Sequence, residues 1–210
     1  MDRSIAGIIL AGGQSRRMGG GDKPLLSLGS NRLIDHIAAR LMPQVETLAL
    51  NANGDPARFA GIDLPVLADT VPGYGGPLAG ILTGLEWAAT NTACRSLASA
   101  AGDTPFFPLD FVERLAVAAR AQPGAIAVAS SGGRWHPTFA LWPVGLRESL
   151  RDFLADEGNR RVSTFMERHG FVAVDFPMLK AGGQRIDPFF NVNTPDDLAA
   201  AERLLQSLQR

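Results

Sequence analysis

The stretch Gly7-Ile8-Ile9-Leu10-Ala11-Gly12-Gly13-Gln14-Ser15-Arg16-Arg17-Met18-Gly19-Gly20-Gly21-Asp22-Lys23 governs the interpretation of the rest of the chain. From Gly7 to Ala11 it is apolar without alternation, the pattern of a strand covered on both faces. The loop that follows is rich in glycine and carries Arg16, Arg17 and Lys23. Glycines let backbone N–H groups turn toward a phosphate chain without side-chain obstruction, and the three cations offset its charge. The loop is not a Walker A motif, because no Ser or Thr follows Lys23 and the spacing differs. The dinucleotide spacing G-x-G-x-x-G is also absent.

Outward from this loop, short apolar runs alternate with helical patterns. Strands are predicted at Thr47 to Asn51, Leu64 to Ala68, Ser96 to Ala101, Ala125 to Ala129, Phe139 to Trp142 and Val172 to Phe176. Helices are predicted at Leu33 to Leu41, Pro77 to Ala89, Val112 to Ala121, Leu146 to Ala155 and Arg161 to Arg168. Pro77 suits a first helical position, where its missing N–H costs nothing. Thr194-Pro195-Asp196-Asp197 predicts a final helix, with Thr194 as N-cap and acids at the positive dipole end. The alternation implies an α/β fold, a mostly parallel sheet with helices on both faces. It breaks between about Ser130 and Gly170, where a second lobe on the sheet is expected.

In such sheets ligands bind beyond the carboxyl ends of the strands. Those ends carry the loop from Gly12 to Lys23, then Asn51, Asp69 and Asp103. Glycine backbone, a cation, an amide and two carboxylates together suit a nucleotide with a divalent metal. Asp103, after Gly102 at a strand end, is the natural ligand for Mg²⁺, which takes one or two carboxylates plus phosphate oxygens and water.

Composition narrows the class. The 210 residues fit one α/β domain or two small lobes sharing a core. The net charge of -1 excludes a whole-protein basic field for nucleic acid. Cys94 is the only cysteine, so the chain forms no internal disulfide or cysteine-based metal cluster, and a reducing compartment is expected. No apolar run approaches the roughly 20 residues needed to span a membrane. The apolar segment from Ile5 to Ala11 is too short for a signal peptide, has an acid before it, and precedes Arg16-Arg17 instead of following a basic stretch. A cytoplasmic protein is expected. Lysine occurs only at Lys23 and Lys180, so the loop holds a compact ammonium in an otherwise arginine-based chain. Of the three histidines, His36 and His169 fall in helical patterns, and His136 alone is connected to function.

The pattern from Leu10 to Lys23, L-A-G-G-x-x-x-R-M-G-G-x-D-K, resembles the molybdenum cofactor guanylyltransferase family. So do Gly76-Pro77-Leu78-Ala79-Gly80-Ile81, Gly102-Asp103-Thr104-Pro105 and Asn191-Val192-Asn193-Thr194-Pro195, in family order and across most of the chain. The resemblance implies a single Rossmann-like, three-layer nucleotidyltransferase domain over residues 1–210. Its part to about residue 110 would bind the nucleotide, and residues from about 130 to 190 the acceptor. GTP would be the nucleotide, Mg²⁺ the metal and molybdenum-bearing molybdopterin the acceptor, with molybdoenzymes or their chaperones as further partners. Leu10, Ala11, Gly12, Gly13 and Lys23 would hold the nucleotide and its phosphates, and Asn51 and Asp69 the nucleoside. Asp103 would bind the metal, with Asn193 beside it. Lys23, Asp103 and Arg17 would be catalytic. His136, Arg160, Arg161, Asn191 and Asn193 would face the acceptor.

The residues by themselves leave the base open. A cytidylyltransferase for the same pterin or a sugar-phosphate nucleotidyltransferase would share the fold, and a non-catalytic nucleotide- or cofactor-binding module is the reading from another class. The intact Asp103 and Lys23 argue against a pure binder.

Overall fold

The structure, a computed structural model, describes residues 5–12, 22–71, 73, 76–155 and 161–208. The chain begins with β1 (Ile5–Leu10), continues through a small hairpin of β2 (Ser27–Leu28) and β3 (Asn31–Arg32), and enters α1 (Leu33–Leu41). β4 (Thr47–Asn51), β5 (Val66–Leu67), α2 (Pro77–Asn91), β6 (Ser96–Ala101) and α3 (Phe111–Ala121) follow. The second half runs β7 (Ile126–Ser131), β8 (Arg134–Pro143), α4 (Arg147–Ala155), α5 (Val162–His169), β9 (Phe171–Asp175), a hairpin of β10 (Leu179–Ala181) and β11 (Gln184–Ile186), and α6 (Pro195–Leu208).

Seven strands form one sheet in the order β5-β4-β1-β6-β8-β7-β9. All neighbours are parallel except β8, which runs against both β6 and β7. The expected parallel α/β sheet is present, with this single reversal. β8 is also longer than the predicted Phe139 to Trp142. It turns back from β7 through Gly132 and Gly133, both with positive φ, and a register shift at Val128/Ala129 marks a bulge. The segment after Ser130 thus supplies strands to the main sheet.

Both sheet faces are covered, which explains the unbroken apolar run of β1. Ile5 and Ile9 pack with Ile34, Ile37 and Leu41 of α1 and Phe111 and Leu115 of α3. Ala6, Ile8 and Leu10 face the opposite way, among Leu78, Ile81 and Leu85 of α2, with Phe153 of α4 and Phe165 of α5 in the same layer. Trp142 is fully buried, and its indole N–H donates to Ser99 Oγ at 2.8 Å, satisfying the polar tip of a large core residue. A third, smaller cluster of Leu28, Leu33, Phe106, Val192 and Leu204 seats α6 on the rest. The N-terminus of α6 is capped reciprocally. Asp197 N donates to Thr194 Oγ1 at 3.2 Å, and Thr194 N to Asp197 Oδ2 at 2.9 Å.

The chain steps from β1 to β4 and β5 on one side, then returns to β6 on the other. The crevice between β1 and β6 is therefore the topological switch point of the sheet. One registered row, Leu67-Asn51-Leu10-Ala101, crosses four strands at their carboxyl ends.

Candidate functional site

The sheet's carboxyl edge brings two polar clusters together. The first centres on Lys23, which enters from the loop side at the start of a short 3-10 turn, Lys23–Leu25. Its Nζ donates to Asp103 Oδ2 at 2.8 Å and also to Asn193 Oδ1. The two acceptors are 80 and 170 positions away from Lys23 in the chain, so only the fold unites the three residues. Asp103 stands directly beyond β6 because Gly102 N continues the ladder onto Leu10 O at 2.9 Å. A Cβ at Gly102 would lie 2.9 Å from that same oxygen and 3.1 Å from Ala11 Cα, so the close approach of the strands requires glycine. Val192 N donates to Asp103 O at 2.8 Å, which pins the segment carrying Asn191 and Asn193 beside the carboxylate. The fully buried Thr104 hydroxyl donates to Asn191 Oδ1 at 2.8 Å and lies 3.1 Å from Asp103 Oδ1.

The second cluster flanks the first across β1. Buried Asn51 donates from Nδ2 to Asp69 Oδ1 at 2.9 Å and Leu67 O at 3.2 Å. Asn53 Nδ2 donates to the other oxygen, Asp69 Oδ2, at 2.7 Å, while Asp69 N donates to Asn53 Oδ1 at 2.8 Å. The Asp69 carboxylate is thus clamped by two amides. Beneath it lies the first turn of α2, whose N-cap Gly76 has φ +145° and whose Pro77 opens the helix. Gly80 in that turn is irreplaceable on steric grounds. An added Cβ would sit 2.2 Å from Asn51 Oδ1 and 2.9 Å from Leu10 Cδ2. Thr83, one turn on, donates to Ala79 O and receives Thr70 N, which ties the segment after Asp69 to the helix.

Lys23, Asp103, Asn191 and Asn193 therefore meet in one cluster and Asn51 and Asp69 in another, with Leu10, Ala11 and Gly12 between them; a Cβ at Gly12 would be 3.8 Å from Asn51 Oδ1. His136 belongs to a third group farther along the same edge. Its Nε2 is 2.7 Å from Ser131 Oγ, which donates to Asp187 Oδ1 at 2.6 Å, and its ring stacks on Phe189 at 4.6 Å. Arg161 caps the N-terminus of α5, in the helix layer on the face of the sheet that holds Trp142. Gly13, Arg17 and Arg160 lie outside the described residues.

The side chains that sequence reasoning passed over are Asn53, Thr83, Ser131 and Asp187. Asn53 had a readable signal, as a second amide two residues after Asn51 at a strand end. Asp187 had none, since its side-chain hydrogen-bond partner Ser131 is 56 residues away in sequence.

Burial pushes the His136 imidazole below its usual pKa, and Arg134 adds to this, against an opposing pull from Asp187. A histidine whose folded pKa is depressed is neutral in the folded protein while the unfolded chain takes up a proton. Stability is therefore full above about pH 6.5 and declines as pH falls from there toward the folded-state pKa. We expect the melting temperature to drop between pH 6.5 and 5, and His136→Gln to flatten that part of the profile. An identical profile in the variant would remove His136 as its source.

Among the described residues no group of three or more His, Cys, Asp or Glu side chains is placed to hold a metal. A metal at Asp103 would be completed by amide oxygens and ligand oxygens. Among the same residues, no helix is long and apolar enough to cross a membrane.

Comparison with known proteins places this edge in context. Residues 7–181 match a family model described as a MobA-like NTP transferase domain. The chain is 66% identical over 208 residues to a molybdenum cofactor guanylyltransferase of Mesorhizobium japonicum, covering 99% of each chain. It is 50% identical over 202 residues to one from Bradyrhizobium sp., covering 96% of this chain and 93% of the relative. Among solved structures, molybdopterin-guanine dinucleotide biosynthesis protein A from Archaeoglobus fulgidus superposes with a TM-score of 0.75 at 21% identity, over 96% of this chain and 98% of that one. A 4-diphosphocytidyl-2C-methyl-D-erythritol synthase from Anaerococcus prevotii shares the fold with a TM-score of 0.72 at 14% identity, over 96% of each chain.

Proposed function

Because the chain belongs to the molybdenum cofactor guanylyltransferase family, we propose that it transfers GMP from GTP to the phosphate of molybdenum-bearing molybdopterin, giving the guanine dinucleotide cofactor and pyrophosphate. The observation that carries this reading is the junction at the switch point. There, Lys23 gathers Asp103 and Asn193 next to the amide-clamped carboxylate of Asp69.

In this reading the acceptor phosphate oxygen attacks the α-phosphorus of GTP in line. A new P–O bond forms, the bond from the α-phosphorus to the bridging oxygen breaks, and pyrophosphate leaves with the electron pair. The nucleophile is already ionised, so no general base is needed, and catalysis rests on positioning and charge. Lys23, together with Arg17, offsets the charge that grows on pyrophosphate. Leu10, Ala11, Gly12 and Gly13 supply backbone to the nucleotide, while Asn51 and Asp69 hold the nucleoside. The donors around Asp103 fit Mg²⁺. All are hard oxygens, and in this structure they already surround a cation, the Lys23 ammonium. Asp103, with Asn193 beside it, would hold that ion, which supplies charge neutralisation to the phosphates when bound.

Residues to about 110 form the nucleotide side in this proposal, and those from about 130 to 190 the acceptor side, with His136, Arg160, Arg161, Asn191 and Asn193 toward the pterin. The proposed compartment is the cytoplasm, in keeping with a lone cysteine that is buried.

Gly80→Ala tests the nucleoside site without touching a charge. Alanine favours the helix by about 1 kcal/mol over glycine, yet its Cβ must expel the Asn51 amide. We expect the KM for GTP to rise about tenfold, the loss of one hydrogen bond to a charged group, and the melting temperature to fall, because the overpacked Asn51 amide loses its bonds to Leu67 O and Asp69. An unaltered KM would place the nucleoside elsewhere. Base identity is tested by titrating the protein with GTP, CTP, ATP and UTP in Mg²⁺ buffer. Tightest binding of GTP is expected, and tightest binding of CTP would move the chain to cytidylyl transfer.

A further inference from the structure

We propose that Arg58 is a positioning residue that locks the phosphate-side cation Lys23 to the nucleoside-side carboxylate Asp69, so that the two halves of the nucleotide site are held at a fixed separation. The proposal rests on the reading of the site as a GTP site.

Arg58 lies on a 3-10 turn, Pro56–Phe59, that follows β4 and is capped by Asp55, whose side chain accepts from Ala57 N at 2.9 Å. Its guanidinium has two different partners. Nη1 donates to Asp22 Oδ1 at 2.9 Å, and Nη2 donates to the backbone carbonyl of Asn53. The group also rests over the ring of Phe59 at 5.0 Å, and Phe59 is buried in the core. A planar fork seated on a fixed ring has little freedom left, so each partner is placed relative to the other.

Those partners sit one step from the two clusters. Asp22 immediately precedes Lys23, so holding its carboxylate orients the backbone from which the Lys23 side chain departs. Asn53 is one of the two amides that clamp Asp69, through bonds of 2.7 and 2.8 Å. The connection therefore runs Lys23, Asp22, Arg58, Asn53, Asp69, with no gap in covalent or hydrogen-bonded contact. The Arg58 hydrogen bonds go to Asp22 and to the Asn53 backbone and not to the side chains of either cluster, so its effect on a ligand would pass through the residues it holds. A lysine at position 58 keeps the charge and can satisfy Asp22 or the Asn53 carbonyl, but its single ammonium cannot reproduce the fork to both.

The test measures steady-state KM for GTP, KM for molybdopterin and kcat, with melting temperatures, for the full chain and for Arg58→Ala, Arg58→Lys, Asp22→Ala and the double variant Asp22→Ala/Arg58→Ala. We expect Arg58→Ala and Asp22→Ala each to raise the KM for GTP by about five- to tenfold, with the KM for molybdopterin within twofold of the parent. The double variant should be no worse than the poorer single one, because both break the same link. Arg58→Lys should recover only part of the loss. The proposal is overturned by a GTP KM within twofold of the parent in Arg58→Ala, by equal rises in both KM values, by additive effects in the double variant, or by full rescue with lysine. Should Arg58→Ala fail to fold, Arg58→Lys and Asp22→Ala decide by the same KM split. A parent protein that binds no GTP removes the nucleotide reading itself, an outcome distinct from a variant that binds as well as its parent.

Discussion

Asp103→Ala should lower kcat about 100-fold or more, the loss reported for removing one preorganised electrostatic group from a transition state. The reason is positional. Asp103 is the one carboxylate in contact with Lys23 among the described residues, and its side chain stands at the mouth of the crevice where the strand order reverses. Removing it leaves the Lys23 ammonium with Asn193 alone and strips the anionic ligand from the proposed Mg²⁺ position. The fold should survive, since the contact that pins the neighbouring segment is made by the backbone carbonyl of Asp103 to Val192 N and not by its carboxylate. The measurement is single-turnover transfer under saturating GTP, with a melting curve as control. A rate close to the parent's would exclude Asp103 from the metal and phosphate chemistry.

Lys23→Ala is expected to weaken GTP binding and turnover together, with kcat/KM falling about 100-fold or more. An ammonium that meets both the ground-state triphosphate and the departing pyrophosphate contributes to each state, so KM should rise and kcat should fall. Here the loss also leaves Asp103 Oδ2 and Asn193 Oδ1, two acceptors now converging on one cation, facing each other without a donor. Lys23→Arg should restore little. The guanidinium is larger and planar, whereas the observed pocket holds a compact charge between two oxygens from distant parts of the chain. Unchanged KM and kcat in Lys23→Ala would remove this residue from the site.

Much of this arrangement was legible in the residues. The unbroken apolar run before the glycine loop marked β1 as a central strand, and Asn51, Asp69 and Asp103 follow strand ends, so the parallel sheet alone places them on one edge. The direction of β8 was not legible, because an apolar run such as Phe139 to Trp142 does not say which way it crosses a sheet. Its turn at Gly132-Gly133 was the available sign of a reversal. The hairpin of β10 and β11 carried a similar sign in Gly182-Gly183, whose positive φ values make its tight turn. The predicted strand from Leu64 to Ala68 is shorter in the structure, Val66–Leu67, beside a proline that has no N–H to donate to a ladder.

The contacts that shape the site most closely were beyond sequence reasoning for a common reason. Gly80 beneath Asn51, Asn193 against Lys23, and Asp187 against the hairpin pair Ser131 and His136 are pairings set by packing between distant segments. No local period or spacing encodes them. Arg58 was invisible for the same reason, since nothing in Pro56–Phe59 announces that its guanidinium reaches back to Asp22.

The measurement that tests the central claim most directly is transfer of label by the purified full chain, with Mg²⁺, molybdenum-bearing molybdopterin and GTP labelled at the α-phosphate. Label entering the pterin, with one pyrophosphate released per transfer, is the predicted result. Pyrophosphate release that is absent, and a pterin that stays unlabelled while GTP is bound, would contradict it.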